Sequence, residues 1–281
     1  MKTLNRNRRL SAVSMAIRNV QEQTESTQLT STQTDNTDSY TISIANSKDS
    51  RSKAFQLAYE VYLAKGYISE NARKMLVSPS DSLSDTCVIN INDGKDIVAS
   101  ITLNFQDHCR LPCQELYPNE IAPLIEQRKR LVEITRLVIK ENHRHSNYLL
   151  AQLFQATYIY AFQIKNITEL VIEVNPRHVG FYQKLLGFSI LGGEKSCERV
   201  NNAPALLLHL DLNFIYENLQ KFYKNNLNVA SKFKFFKYAI AEDKANSLRI
   251  EFKRSHRPIT LLERIYFGIK QIKTPELTGA M

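Results

Sequence analysis

Two ionisable residues interrupt an otherwise apolar run, Glu133 and Arg136 in RLVEITRLVIK (130–140). A strand buried in a parallel sheet is ordinarily close to continuously apolar. A carboxylate held in such a run can accept a proton from a reacting group. A guanidinium can grip an anionic carboxylate through two parallel hydrogen bonds. Strand alternation puts residues three apart on opposite faces, and an intervening β-bulge would bring both to one cleft. An ion pair to a neighbouring strand is the alternative reading of the same two residues.

A second stretch, LVIEVNPRHVGFYQKLLGF (170–188), supplies the surrounding architecture. Leu170–Val174 is short, apolar and β-branched, as a buried strand should be. Asn175-Pro176 stops it and opens a helix, because Asn suits the cap and Pro the first turn. Val179, Tyr182 and Leu186 follow at helical spacing, and Gly187 ends the helix before Phe188 starts another strand. Strand, Asn, Phe181-Tyr182, Lys184 and Gly187-Phe188, in that order, resemble the closing unit of the GCN5-related N-acetyltransferase fold. The resemblance implies acyl transfer from a thioester to an amine. It also implies that the strand of Glu133 and Arg136 splays from its parallel neighbour, leaving a wedge for a pantetheine arm. Tyr182 falls where such enzymes often carry a tyrosine that protonates the leaving thiolate; core packing is its other reading.

The remaining elements read around these two. Tyr40–Ala45 alternates as a strand. A helix capped at Ser50 carries Phe55, Ala58, Tyr59 and Tyr62 on one stripe and ends at Gly66, and a second short helix is expected over Glu70–Leu76. Thr86–Ile91 and Ile97–Phe105 are strands joined through Asp93-Gly94, a hairpin signal. Tyr148–Ile164 is a long helix, and Ala205–Leu212 is the last strand. The expected fold is α/β: a mixed, splayed sheet of six to seven strands flanked by helices, with a C-terminal helical extension. Three segments follow: a Thr/Ser/Gln/Asn-rich, disordered stretch 1–38, an acyltransferase domain 39–225, and a basic extension 226–281.

AFQLAYEVYLAKGYI (54–68), EITRLVI (133–139), VNPRHVGFYQKLLGF (174–188) and NNAPALLLHLDL (201–212) together resemble the long-chain N-acyl amino acid synthases of the FeeM type, which share a fold with acyl-homoserine lactone synthases. The resemblance implies transfer of a fatty acyl chain from an acyl carrier protein to an amino acid amine. On this reading Glu133 takes the amine proton. Backbone amides around Leu137 and Val138 hold the oxyanion, and Leu137, Val138, Ile139, Arg144 and Asn175 bind the acyl-pantetheine. Arg136 holds the acceptor carboxylate, with Arg51 and Arg177 behind it, and Phe55, Tyr59 and Tyr62 could line an acyl tunnel. Acetyltransferases usually follow the Glu133 strand with a glycine-rich loop that cradles the coenzyme A pyrophosphate on a helix N-terminus. Here ENHRHSNY (141–148) contains no glycine, which favours the single phosphate of carrier-bound phosphopantetheine. No tightly bound cofactor is expected; the acyl-phosphopantetheine is a substrate.

Composition narrows the partners. The net charge is +9, yet residues 51–214 hold 18 Lys+Arg against 17 Asp+Glu, and residues 215–281 hold 13 against 6. The excess in the last third favours an acidic partner: the carrier protein first, an anionic membrane surface next, nucleic acid last. SKFKFFKY (231–238), which interleaves aromatic and basic residues, would suit any of these. A lactone synthase would need a site for S-adenosylmethionine, for which signals are weak, and a non-catalytic basic binding protein is the alternative from another class. The four cysteines show no paired zinc spacing, so no metal is expected and reduced thiols are the default. Neither a secretory leader nor an 18-residue apolar span is seen, and a cytoplasmic location is the expectation.

Overall fold

The computed structural model describes residues 40–106, 109–143, 146–219, the backbone of the helix that continues to Tyr223, Tyr238, and 240–270. The expectations for 1–38, for Arg144 and for most of SKFKFFKY lie outside the described residues. Seven strands form one sheet: β1 (Tyr40–Ile44), β2 (Cys87–Asp93), β3 (Asp96–Phe105), β4 (Leu131–Ile139), β5 (Glu169–Val174), β6 (Ser189–Cys197) and β7 (Ala203–Asp211). Their spatial order is β1-β2-β3-β4-β5-β7-β6. Every neighbouring pair is antiparallel except β4 and β5, which are parallel only from Leu131↔Glu169 to Ile134↔Ile172. Beyond Ile134 the two strands part. This is the splayed mixed sheet of the acetyltransferase-like fold, and its wedge opens at the two residues singled out above.

The helices are α1 (Lys48–Ala64), α2 (Pro118–Glu126), α3 (Asn147–Tyr158), α4 (Val179–Leu186), α5 (Leu212–Tyr223), α6 (Glu242–Ser255) and α7 (Leu261–Phe267). α1 is capped three residues earlier than expected, at Ser47, whose Oγ accepts the Ser50 amide at 3.1 Å while Ser50 Oγ accepts the Ser47 amide at 3.1 Å. This reciprocal pair satisfies two donors that a helix start leaves open. α3 continues to Ile164 as expected, but residues 159–164 widen into a π-helical turn. The helix expected over Glu70–Leu76 does not form. Asn71 instead closes a loop onto the Met75 amide and carbonyl, and Lys74 takes φ +49°, which no α-helix accommodates.

One face of the sheet carries the largest core, in which Ile134, Ile172 and Leu208 pack beneath α3 and α4. The other face has two smaller cores, one under α1 around Phe55 and Val138, one around Tyr117, Leu131 and Val171. The C-terminal segment is not an appendage. Phe252 of α6 joins the large core and Phe267 of α7 joins the α1 core, both with no exposed surface. The described residues from Tyr40 onward accordingly cluster as one unit.

Candidate active site

β4 carries the expected bulge. Thr102 faces Thr135 and Ser100 faces Val138, so Ile101 alone opposes both Arg136 and Leu137. Arg136 absorbs the extra residue at φ +47°, a left-handed conformation that is uncommon for a side chain of this size. The bulge reverses the alternation. Val132, Ile134, Leu137 and Ile139 face the α3 side, whereas Leu131, Glu133, Arg136 and Val138 face the α1 side. Glu133 and Arg136 therefore share a face, at the point where β4 leaves β5.

Glu133 is fully buried. Its Oε2 accepts the Cys113 amide at 2.7 Å, and its Oε1 has no hydrogen-bond partner among the described residues. Burial, and then the nearby charge of Glu173, push this carboxyl from the usual 4.5 up to about 8; the Cys113 amide pulls the other way. Glu173 lies two residues beyond Glu133's partner Val171, on the same face. Its carboxylate takes both bonds from Arg199 Nη2, at 2.8 and 2.6 Å, and burial still raises its pKa. Arg199 Nε also reaches Glu115 at 3.0 Å. The result is two carboxyl groups beside the wedge with one guanidinium holding the outer one.

The arginines named from sequence divide sharply. Arg136 forks onto both oxygens of Asp81, donates to the Leu76 carbonyl at 3.1 Å, and stacks 5.2 Å over Phe55. Arg51 is bound to Glu263 at 2.9 Å and to the Arg257 carbonyl at 2.6 Å. Neither guanidinium is open to a substrate carboxylate in this arrangement; each holds a distant segment onto α1 or β4. Arg177 is exposed, and its hydrogen bonds go to the Tyr67 hydroxyl at 2.9 Å and to His178 at 3.1 Å, leaving it no carboxylate partner among the described residues.

Tyr182 lies on α4 in an aromatic cluster with Phe154, Phe181 and Phe188. Burial raises its pKa, so the phenol keeps its proton. Tyr62 of α1 approaches from the other side, and burial pushes its pKa up to about 12. Asn175, at the mouth of the splay, accepts the Arg177 amide at 3.3 Å and caps the turn Pro176–His178. Phe55 and Tyr59 are ordinary core residues, so they line no tunnel. The apolar space lies on the opposite face of the sheet. There Ala151, Phe154, Leu170, Leu186, Leu210 and Leu219 line a half-open apolar pocket of about 70 Å³ between α3, α4 and α5. No group of His, Cys, Asp and Glu among the described residues is placed to hold a metal ion.

Asp81, Glu173, Arg199 and Cys113 were not singled out from the sequence. Glu173 carries the same signal as Glu133, a carboxylate inside an apolar strand (LVIEV). The other three give no local sign, because their partners are remote in the chain.

The family model for the N-acyl amino acid synthase FeeM matches residues 53–211, from α1 to the end of β7. The chain belongs to the FeeM family. It is an N-acyltransferase. Among solved structures, FeeM, an N-acyl amino acid synthase from uncultured soil microbes, matches with a TM-score of 0.55 at 24% identity, over 62% of this chain and 92% of that one. The acyl-homoserine lactone synthase BjaI, described as CoA-dependent and solved with SAM and isopentyl-CoA, matches with a TM-score of 0.52 at 14% identity, over 75% of this chain and 99% of that one. At those identities the likeness is one of fold. No curated protein matches the chain. The FeeM-family stretch contains the bulge, the splay and the Glu133–Glu173 pair, and ends before α5, α6 and α7.

Proposed function

We infer that this enzyme moves a long-chain acyl group from the phosphopantetheine thioester of an acyl carrier protein to the amine of an amino acid, by direct attack. The observation that carries the reading is the bulge at Arg136, which follows the last paired residues of β4 and β5 and puts Glu133 and Arg136 on one face beside the wedge. In the proposed reaction the acceptor nitrogen attacks the thioester carbonyl carbon. Its surplus proton passes to the Glu133 carboxylate, directly or through one water. β4 amides from Leu137 onward, released from the β5 ladder, receive the tetrahedral oxyanion. When the C–S bond breaks, Tyr182 protonates the departing thiolate, and the proton held by Glu133 returns through water to Tyr182. The products are an amide and a thiol, with no net change in the enzyme.

Arg177, which has no carboxylate partner among the described residues, would hold the acceptor carboxylate, helped by Tyr67. The α3–α4–α5 pocket suits the fatty chain, since its walls are almost wholly apolar. A carrier donor is favoured by the glycine-free segment after β4, where Glu141–His143 forms a single tight turn. Untargeted mass spectrometry of lipid extracts from expressing cells tests the reading, because one product reports both substrates. New N-acyl amino acids, absent from cells expressing Glu133→Gln, are expected. Purified enzyme that acylates no amino acid from acyl-carrier, but does so from acyl-coenzyme A, would overturn the donor assignment.

A further inference from the structure

α7 is apolar on two opposite faces. Inward, Glu263 receives Arg51 at 2.9 Å and Arg257 at 2.7 Å, and the Phe267 ring packs edge-on against Phe55 at 5.1 Å. Helical spacing gathers Leu261, Leu262, Ile265 and Tyr266 on the outer side. They are 62, 78, 66 and 49% exposed. An ordinary surface helix turns polar residues outward, and exposed apolar side chains are normally scattered singly. Four adjacent ones on a helix pinned by a buried ion pair and a buried ring form a fixed ridge.

The rim of the ridge is basic. Lys48 Nζ lies 4.6 Å over the Tyr266 ring. The Arg73 guanidinium rests against Gly268, 2.6 Å from where a Cβ would stand. Lys270 is exposed one turn past Tyr266, and Lys253 and Arg254 are exposed at the end of α6. Of the acids near it, Glu263 is buried under its two arginines and Asp49 is bound to Lys53 at 3.0 Å, while Glu251 of α6 is exposed two residues before Lys253.

We propose that this face of α7 seats the enzyme on an anionic lipid surface. The Leu and Ile side chains enter the boundary between headgroups and acyl chains, and the rim cations lie among the lipid phosphates. Tyr266 under Lys48 suits that boundary, where amphipathic rings and snorkelling lysines collect. Charge selects this occupant over others. A second copy would press one basic rim against another. A ridge also differs from the groove that receives a partner's helix. Lys48 and Tyr62 stand ~21 Å apart along α1 at 1.5 Å per residue, so docking leaves the Glu133 site clear of the bilayer.

The test is vesicle flotation of the full chain at physiological salt, using phosphatidylcholine vesicles with and without phosphatidylglycerol. Wild type should float with the anionic vesicles. The double variant Leu262→Ser/Ile265→Ser, whose fold is checked by thermal melting, should bind at least about tenfold more weakly. Lys48→Glu/Lys270→Glu should lose the phosphatidylglycerol-dependent part, about fivefold for each basic charge removed. Failure of wild type to float, or equal flotation of wild type and the Leu262/Ile265 variant, overturns the proposal. So does a Leu262/Ile265 variant that floats normally but loses self-association in sedimentation, or that shows only a raised KM for acyl-carrier. Those results would assign the face to a second copy or to the carrier protein.

Discussion

The raised pKa of Glu133 has a kinetic signature that a second substitution can isolate. A base with a pKa of about 8 is about one-tenth ionised at pH 7 and about nine-tenths ionised at pH 9, so kcat/KM should climb roughly tenfold between them. Deprotonation of the acceptor amine produces a similar limb, so the wild-type profile alone decides nothing. Glu173→Gln separates the two. From strand geometry, Glu133 and Glu173 have α-carbons ~8 Å apart: two residues of rise combined with one strand spacing. Two charges at that distance interact by ~2 kcal/mol at an effective dielectric of 20, equivalent to ~1.5 pH units. Removing Glu173 also releases the Arg199 charge, which acts in the same direction. The limb should therefore move to lower pH by about one to two units in Glu173→Gln, whereas an amine titration would stay where it was. Initial rates from pH 6 to 9.5 measure it, and a limb that does not move in this variant refutes the base assignment. Stability provides a check with a fixed sign. The folded-state pKa is raised, so the contribution of a protonated Glu133 is full below pH 4.5 and is lost as pH rises through about 8. Denaturation of wild type should lose up to ~5 kcal/mol across that window, at 1.36 kcal/mol per pH unit, and Glu133→Gln should flatten the loss.

Three further outcomes follow from the site. Ala151→Phe fills part of the apolar cavity and should shift acyl preference to shorter chains in competition between carriers of different chain length; an unchanged profile would place the chain elsewhere. Arg177→Ala, at an exposed position, should raise the KM for the acceptor at least about tenfold with kcat little altered, and an unchanged KM removes Arg177 from the acceptor site. Asp81→Ala leaves the Arg136 guanidinium buried without its partner and should cost about 3–5 kcal/mol in urea denaturation, with a loss below 1 kcal/mol contradicting the buried pair.

Local pattern carried most of the fold. Seven strands and the principal helices follow from apolar periodicity and from Gly, Pro and Asn punctuation, and Glu133 with Arg136 left two readings open, a bulge that puts both on one face or an ion pair to a neighbouring strand. What the pattern could not carry was partnership across the chain. Arg136 looks like a substrate clamp from sequence, but its fork closes on Asp81, 55 residues away in a loop that has no signature. Arg51 is claimed in the same way by Glu263. Phe55 and Tyr59 form a helical stripe that serves either a tunnel or a core, and only the position of Phe267 decides for core. The residues from 240 onward read as a basic extension, since Ile240, Leu248, Phe252 and Phe267 are too widely spaced to announce their burial.

The Arg51–Glu263 pair also sets a clock on biosynthesis. Its two residues are 212 positions apart, and both lie outside the 53–211 family stretch, one on each side. At about 5–20 residues per second, Arg51 leaves the ribosome ~10–40 s before the carboxylate that neutralises it. Throughout that interval α1 can be formed with a cation and the Phe55 ring bare on the face that α7 will cover. The nascent chain should thus display a specific sticky surface late in translation, a natural target for a holding chaperone. For the same reason, a chain cut back to family length would lose the whole clasp together with the helix that covers Phe55, whereas a chimera that replaces only one flank would keep half of it and bury a lone charge.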